Sequence, residues 1–546
     1  MSDAIGARTI EFLDTRFSAS APHAGALAWA RANWEAVFLV LIASAVYQPW
    51  NIPYLPLTDF GIFLVERGTS HSLWSQFAGI SGYYMGEGRL LLFEYVHMTL
   101  AAAAFGLWAP GWHWTYFVLM SAVLVLARSF LLMSGANRTA TFIALAIFAT
   151  MGPVAEGWIK PTGEPIALIF FLLALRLALN YCDATDWKRR ALLIGACAVG
   201  IVFSKELLAV LLPAGWLVSR LRLADRRWAW AAWSERDTFL LQVVVSFVVV
   251  ALIPVAYVFA HAAKDSYASQ YGHAQPWKVT LERIESVLIP ATPRLRRLIN
   301  LIGDPGFTLL LTLPSLLWIR LLAGGIATGP RRRIMWPMII AAVWVTLGVA
   351  AYFPWPTRAG YYMLPFALGT MFAAAHAFTL LLERSRSARW ACIGVSAILI
   401  VNTSLEARTI LNQHQQRAHL NADLIDTMAR IGGAPHLIGA TPNPTPQRGG
   451  WASHLKGFGS FANGTKVGDA QDMLCADAKN ALATTQGVVV VSAATACGKI
   501  APNATAVSVT VPSWQWPKLW ERRDVEGRMY IATNIPQKGS SSGPKP

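Results

Sequence analysis

Charged residues are scarce in this sequence: only 14% of its 546 residues are Asp, Glu, Lys or Arg. A soluble globular chain carries about a quarter. Cysteines are also few, five in all, and none has the CxxC spacing of a zinc site. The polar C-terminal part lacks a Gly-rich phosphate loop, an HExxH motif and a GxSxG motif. That part therefore offers no recognisable catalytic motif of its own.

Long apolar runs, by contrast, dominate the chain. Hydrophobic residues make up 55% of it, and runs of membrane-span length recur from Trp34 to about Asn402. This pattern predicts an α-helical polytopic membrane protein. We predict about eleven spans, at 34–50, 112–133, 138–152, 165–181, 190–204, 206–220, 237–260, 306–324, 334–352, 360–382 and 390–404.

The net charge of +16 does not indicate nucleic acid as a partner, because the basic residues form short clusters between the apolar runs. Such clusters are typical of cytoplasmic loops. They lie at Lys188–Arg190, Arg220–Arg227, Arg331–Arg333 and Arg384–Arg389. We expect residues 1–33 to be a cytoplasmic tail before an uncleaved first helix.

One segment, Gly88–Trp108, is apolar enough to span the membrane but contains Arg89, Glu94 and His97. If it crossed, with the N-terminus inside, all four basic clusters would lie outside, against the positive-inside rule. Charged groups near the middle of the membrane are also costly. We therefore predict an amphipathic helix within a long first external loop, residues 51–111, with the C-terminus of the chain outside.

The composition turns polar after the last predicted span. We divide the chain into the tail 1–33, a transmembrane domain 34–404, an extracytoplasmic α/β domain 405–535 and a disordered end 536–546. The α/β assignment rests on a helical period and three strand patterns. These lie at Ala422–Ile431, Gly487–Ala494, Ala506–Trp514 and Met529–Asn534. Cys475 and Cys497 can pair only in an oxidising compartment.

The predicted outer side collects the unusual polar residues. Asp59 follows the first span after two prolines, where a carboxylate can act as a general base or, with Thr58, cap a helix. Lys205 and Glu206 form a very tight turn, where a lysine can either reach the membrane surface or bind a lipid-linked phosphate. The other members of this set are Glu156, Lys160, Glu164, Arg358, Tyr361 and Tyr362.

From Trp34 to about Ala375 the chain resembles the GT-C superfamily of integral membrane glycosyltransferases. The residues that carry the resemblance are the early acid in the outer loop, GRLLLFEY, MGPVAEGWIKPTGEP, SKELLAVLLP and RAGYYMLPFALG. The most similar branch has HPV..E..W after its third span, and this chain has Gly152 in place of that histidine.

The resemblance implies a polyprenyl-phosphate-linked sugar as donor and an acceptor hydroxyl approached from the outer side of a bacterial inner membrane. The acceptor is a glycan, a lipid or a protein. Asp59 takes the place of the catalytic base, in a direct displacement that inverts the sugar carbon. Some relatives carry paired acids there, whereas this chain has Thr58 and Asp59, which leaves divalent-metal dependence open. The expected donor-phosphate residues are Lys205, Arg358 and Arg89, and the expected sugar or acceptor residues are Glu156, Lys160, Glu164, Glu206, Tyr361 and Tyr362.

Two other functions fit a polytopic membrane protein. A transporter or flippase of lipid-linked glycans needs ionisable groups within spans and usually two related halves, and the sequence shows few of the former and no repeat. A non-catalytic membrane assembly protein would retain the fold and use the C-terminal domain instead.

Overall fold

The computed structural model describes eleven parts of the chain. They are residues 33–52, 72–106, 108–159, 163–224, 227–262, 332–352, 360–431, 434–441, 467–493, 496–514 and 522–535. Asp59, Lys160 and Arg358 lie outside these residues, as does the span predicted at 306–324.

The described membrane part is helical throughout, apart from one short hairpin. Its helices are α1 (Trp34–Tyr47), α2 (Leu73–Gly86), α3 (Leu92–Phe105), α4 (Ala109–Met133), α5 (Arg138–Thr150), α6 (Gly152–Ile159), α7 (Glu164–Ala178), α8 (Trp187–Ser204), α9 (Leu212–Ser219), α10 (Glu235–Ala260), α11 (Arg332–Tyr352), α12 (Leu364–Arg384) and α13 (Arg386–Ile431). Single 3-10 turns lie at Pro49–Asn51, Tyr181–Asp183, Glu206–Leu211 and Gly360–Met363. The hairpin is β1 (Leu221–Ala224) with β2 (Arg227–Trp230), which are antiparallel.

Within the described residues, four helices are long and apolar enough to cross a membrane: α4, α10, α12 and most of α13. The other predicted spans that fall in described residues coincide with further helices of the bundle. A membrane protein built from apolar helices is therefore confirmed, whereas the number of about eleven spans stays a prediction.

Contacts between helix ends define two ends of the bundle. At the entry end, where α1 begins, Glu35 of α1 binds Arg128 near the end of α4, with 2.9 Å between Oε2 and Nη2. At the exit end, where α1 finishes, the Tyr47 hydroxyl donates to the carbonyl of Ala149 in α5 over 2.8 Å. Helices α1 and α4 are therefore antiparallel neighbours, and α5 returns to the exit end.

The segment between α1 and α4 begins and ends at the exit end. Trp50, just after α1, and Trp114, near the start of α4, have ring centroids 6.0 Å apart. The stretch Gly88–Trp108 therefore adds no net crossing between these two helices. Its helix α3 has 14 residues, about 21 Å, which is shorter than the apolar thickness of a bilayer.

The C-terminal domain is a five-stranded mixed sheet in the order β4-β3-β5-β7-β6. Its elements are β3 (Ala434–Thr441), β4 (Val467–Leu474), helix α14 (Cys475–Thr484), β5 (Val488–Ala493), β6 (Thr505–Trp514) and β7 (Arg522–Thr533). Strand β3 pairs parallel to β4 and β5, and β7 pairs antiparallel to β5 and β6. The predicted strands are confirmed as β5, β6 and the last part of β7, and Cys475 and Cys497 form a disulfide.

Helix α13 connects the bundle to this sheet without a break. It has 46 residues and runs through the predicted domain border at residue 404. Leu411 and Leu424 of α13 share one buried core with Val507 of β6 and Ile531 of β7. The sheet therefore packs against the distal part of α13, beyond the exit end.

Candidate functional site

A group of charged and aromatic side chains meets at the exit end of the bundle, where four distant parts of the chain converge. We name it the exit cluster. It comprises Arg89, Glu94, Glu164, Lys205, Glu206 and Tyr362.

A buried ion pair lies at its centre. The Nζ atom of Lys205 lies 2.9 Å from Oε1 of Glu164, and the two side chains are 6% and 0% exposed. Glu164 is the first residue of α7 and is followed by Pro165, an arrangement that favours a helix start. Lys205 follows the last residue of α8, and its extended backbone turns the side chain into the bundle. The start of α7 and the end of α8 therefore meet through this pair.

Tyr362 covers the pair from a third direction. Its ring centroid lies 5.4 Å from the Lys205 ammonium, within the range of a cation–π contact. Tyr362 belongs to the 3-10 turn that precedes α12 and is itself buried. Three segments that are far apart in sequence thus fix one lysine.

Glu94 is the member that sequence reasoning did not assign to the site. We interpreted it only as a reason why α3 does not cross the membrane. Glu94 is only 6% exposed. The positive charges of Arg89 and Lys205 attract its carboxylate, and the negative charges of Glu164 and Glu206 repel it. A signal was present, because a carboxylate buried in a short outer helix needs a polar partner.

Gly163 allows the close approach of these groups. A Cβ atom at this position would lie 2.9 Å from Oε2 of Glu94 and would overlap the carbonyl oxygen of Ser204. Because Gly163 has no side chain, the chain before α7 can pass between α3 and the end of α8.

Arg89 is held at the edge of the cluster. It is half-buried, and its carbonyl accepts a hydrogen bond from the Tyr95 hydroxyl over 2.6 Å. Its guanidinium carbon lies 6.0 Å from the Tyr84 ring centroid. The turn between α2 and α3 therefore anchors the backbone of Arg89 beside Glu94.

The structure thus brings together five of the predicted site residues: Arg89, Glu164, Lys205, Glu206 and Tyr362. For Glu156 in α6 and for Tyr361 in the 3-10 turn, it describes the backbone only. Asp59, Lys160 and Arg358 lie outside the described residues, so their roles stay predictions.

The structure also shows what surrounds Gly152, where the glycosyltransferase branch that the sequence resembles has a histidine. The side chain of Glu406, from α13, occupies the space that a side chain at Gly152 would need. Nearby, the hydroxyl groups of Thr150 and Thr403 are 2.6 Å apart. A larger residue at position 152 would therefore displace the Glu406 side chain.

The charges of the exit cluster suit two kinds of ligand group. Lysine and arginine can neutralise a phosphate, and carboxylates accept hydrogen bonds from hydroxyl groups. Within the described ranges, no group of three His, Cys, Asp or Glu side chains is placed to hold a metal ion. The fold and the site thus define a helical membrane protein with a buried, charged site at one end of its bundle.

Comparisons with known proteins give similarities of structure only, since no family model and no curated protein match the chain. The oligosaccharyltransferase of Archaeoglobus fulgidus is 12% identical over 84% of this chain and 68% of its own, with a TM-score of 0.45. ArnT from Cupriavidus metallidurans, bound to undecaprenyl phosphate, is 13% identical over 91% and 97%, with a TM-score of 0.45. The arabinofuranosyltransferase AftD from Mycobacteria is 12% identical over 92% of this chain and 40% of its own, with a TM-score of 0.42.

Proposed function

We propose that this protein is a glycosyltransferase that moves a sugar from a polyprenyl-phosphate donor to an acceptor hydroxyl on the extracytoplasmic side of the membrane. The observation that carries the proposal is the exit cluster. There a buried lysine, fixed by Glu164 and Tyr362, lies among carboxylates inside the helix bundle. Burial of so many charges is costly, and membrane proteins keep such groups mainly for function.

The chemistry follows from the charges. The donor's phosphate is a good leaving group, and the negative charge that develops on it needs cations. Lys205 and Arg89 supply them, together with Arg358. Asp59 removes the proton of the acceptor hydroxyl while its oxygen attacks the anomeric carbon, opposite the bond to the phosphate. The bond from sugar to phosphate breaks, the lipid phosphate leaves, and the configuration inverts.

The distribution of charge supports an extracytoplasmic site. Lys205 ends α8 at the exit end, so the basic cluster Lys188–Arg190 at the start of α8 lies at the entry end. Arg384 and Arg386, between α12 and α13, belong to the entry end as well, because Thr379 in the last turns of α12 binds the backbone of Asn137 there. The positive-inside rule then assigns the entry end to the cytoplasm.

The C-terminal domain supports the same orientation. It follows α13 beyond the exit end, and its Cys475–Cys497 disulfide is a bond that persists in oxidising compartments. Under this proposal the domain lies on the side from which the acceptor arrives. The acceptor class remains a glycan, a lipid or a protein.

The proposal is tested by incubating the purified protein in detergent with radiolabelled undecaprenyl-phosphate pentoses and hexoses. We expect one donor to be consumed, and the Asp59→Asn variant to lose about 100-fold or more of that rate, as is usual for the loss of a general base. Asp423→Asn, an exposed aspartate of distal α13, is the matched control and should keep the full rate.

Two results would contradict the proposal in different ways. An unchanged rate in Asp59→Asn would remove Asp59 from the mechanism but leave the transferase activity. Failure of the unmodified protein to consume any donor would favour a transporter or a non-catalytic assembly protein.

A further inference from the structure

The exit cluster contains hydrogen-bond acceptors that the protein itself does not fill. Among the described residues, Oε2 of Glu94 and Oε2 of Glu206 are buried and have no hydrogen-bond partner. The Lys205 ammonium forms its ion pair with Glu164. A buried carboxylate oxygen without a partner loses its hydration and gains nothing in return. A bound molecule that donates hydrogen bonds would remove this cost.

The charges restrict what that molecule is. Above pH 7, Glu94, Glu164 and Glu206 carry three negative charges against two positive charges on Lys205 and Arg89, since burial raises the pKa of Glu94 to about 7. A phosphate group only accepts hydrogen bonds in its ionised form, so Glu94 and Glu206 repel it. The described part of the chain also offers no metal-binding group here. The remaining common donors in a glycosyl donor are the hydroxyl groups of its sugar.

We propose that Glu94, supported by Glu206, recognises the transferred sugar by accepting hydrogen bonds from its hydroxyl groups. This inference rests on the proposed function and specifies how the donor is oriented. The phosphate faces Lys205 and Arg89, and the sugar faces Glu94. Glu94 is then a specificity-determining residue, because it favours a lipid phosphate that carries a hydroxylated sugar over the bare lipid phosphate that remains after transfer.

Gly163 is part of the same arrangement. A Cβ atom at position 163 would lie 2.9 Å from Oε2 of Glu94, so any other residue there would crowd this oxygen. Since Glu94 lies on α3 and Glu206 follows α8, the two acceptors approach the sugar from different helices. Two acceptors with fixed separation discriminate among sugars by the spacing of their hydroxyl groups.

This orientation predicts that one substitution has opposite effects on two quantities, the binding of bare undecaprenyl phosphate and the turnover of the sugar-loaded donor. In the full-length protein, Glu94→Gln removes one negative charge with almost no change in volume. Binding of bare undecaprenyl phosphate should become several-fold tighter, because a repelling charge is lost. The kcat/KM for the sugar-loaded donor identified by the consumption assay should fall by about 10- to 100-fold, as for a lost hydrogen bond to a charged group.

Glu87→Gln is the matched control, since Glu87 lies seven residues before Glu94, in the turn that follows α2. It should change neither quantity. Glu206→Gln should also tighten the binding of undecaprenyl phosphate and lower kcat/KM, with smaller changes than Glu94→Gln. This second variant tests the inference if Glu94→Gln fails to fold.

The inference is overturned if Glu94→Gln weakens both ligands together, which indicates a role in the fold, or if the kcat/KM is unchanged. Failure of the unmodified protein to bind undecaprenyl phosphate would instead overturn the proposed function, so the two failures are distinguishable.

Discussion

Both ends of the bundle bury charged side chains, but the ratio of carboxylates to cations differs between them. At the entry end, Glu35 contacts two guanidinium groups, those of Arg128 at 2.9 Å and Arg138 at 2.6 Å. In the exit cluster, three carboxylates face two cations, and two of the acceptor oxygens have no partner among the described residues. At the entry end, carboxylates paired directly with cations fasten helix ends together, whereas in the exit cluster the carboxylates outnumber the cations and a ligand can complete them.

A second pair at the entry end shows the same matching. Arg220 forms a buried ion pair with Asp237 of α10, and both side chains are 1% exposed. The guanidinium also donates to the carbonyl of Ala231 over 2.6 Å and stacks over the ring of Trp233 at 5.0 Å. Asp237 completes a capping box with Ser234 at the start of α10. These contacts join α9, the β1–β2 hairpin and α10.

The largest expected effect comes from removing the central cation of the exit cluster. Lys205→Met should lower kcat/KM for the sugar donor by about 100- to 1000-fold, because the charge that develops on the leaving phosphate loses its main partner. Donor consumption by the purified protein measures this. Lys205→Arg, which keeps the charge, should recover part of the loss.

Lys188→Met is the matched control, because Lys188 is exposed at the other end of the same helix. It should keep the full rate. Equal losses of kcat/KM in Lys205→Met and Lys188→Met, or full turnover in Lys205→Met, would show that the exit end is not the functional end of the bundle.

The second prediction concerns stability at the entry end. Arg220→Met should lower the free energy of unfolding by about 3–5 kcal/mol, because it leaves the Asp237 carboxylate buried without its cation. Replacing both partners, Arg220→Met with Asp237→Leu, should restore most of that loss, since apolar side chains of similar volume tolerate burial. Chemical denaturation in detergent measures the change, and binding of undecaprenyl phosphate by the folded protein should not change.

A nearby exposed pair provides the reference for this effect. Arg222 and Asp183 lie 2.9 Å apart with 56% and 51% of their side chains exposed. Arg222→Met should therefore cost no more than about 1 kcal/mol. A loss as large as that of Arg220→Met would show that the hairpin, rather than the buried charge, determines stability at this end.

Local patterns predicted much of this molecule, and long-range contacts account for the rest. The apolar runs located most of the described helices, although not α2, α6 or α14, and alternation located β5, β6 and the end of β7. The basic clusters predict that Gly88–Trp108 does not cross the membrane, and Trp50 and Trp114 on either side of the loop do lie together. Such signals lie within a few residues of one another, so a single sequence displays them.

The contacts that build the exit cluster join residues that are far apart in the sequence. The sequence placed Glu164 and Lys205 on one side, but not the pair that they form, and it missed the position of Glu94 in the cluster. It also divided α13 at residue 404, because the change in composition marks where the membrane ends and not where the helix ends. Partners separated by tens or hundreds of residues are chosen by packing, which periodicity does not report.

The smallest expected effect tests how α13 holds the exit of α1. Arg408 donates to the carbonyl of Val46 over 3.1 Å, and the buried Gln415 donates to the carbonyl of Asn51 over 3.0 Å. Gln415→Ala should cost about 1 kcal/mol of unfolding free energy, because the part-buried hydrogen bond to the Asn51 carbonyl is lost. It should also lower kcat a few-fold at unchanged donor KM, since Asn51 begins the segment that leads to Asp59, whereas the donor cluster lies on other elements.

Gln413→Ala is the control, because Gln413 is an exposed glutamine on the same helix. It should change neither the unfolding free energy nor kcat. If the two variants behave alike, α13 carries the C-terminal domain without acting on the first outer loop, and only the ionic contacts distinguish the two ends of the bundle.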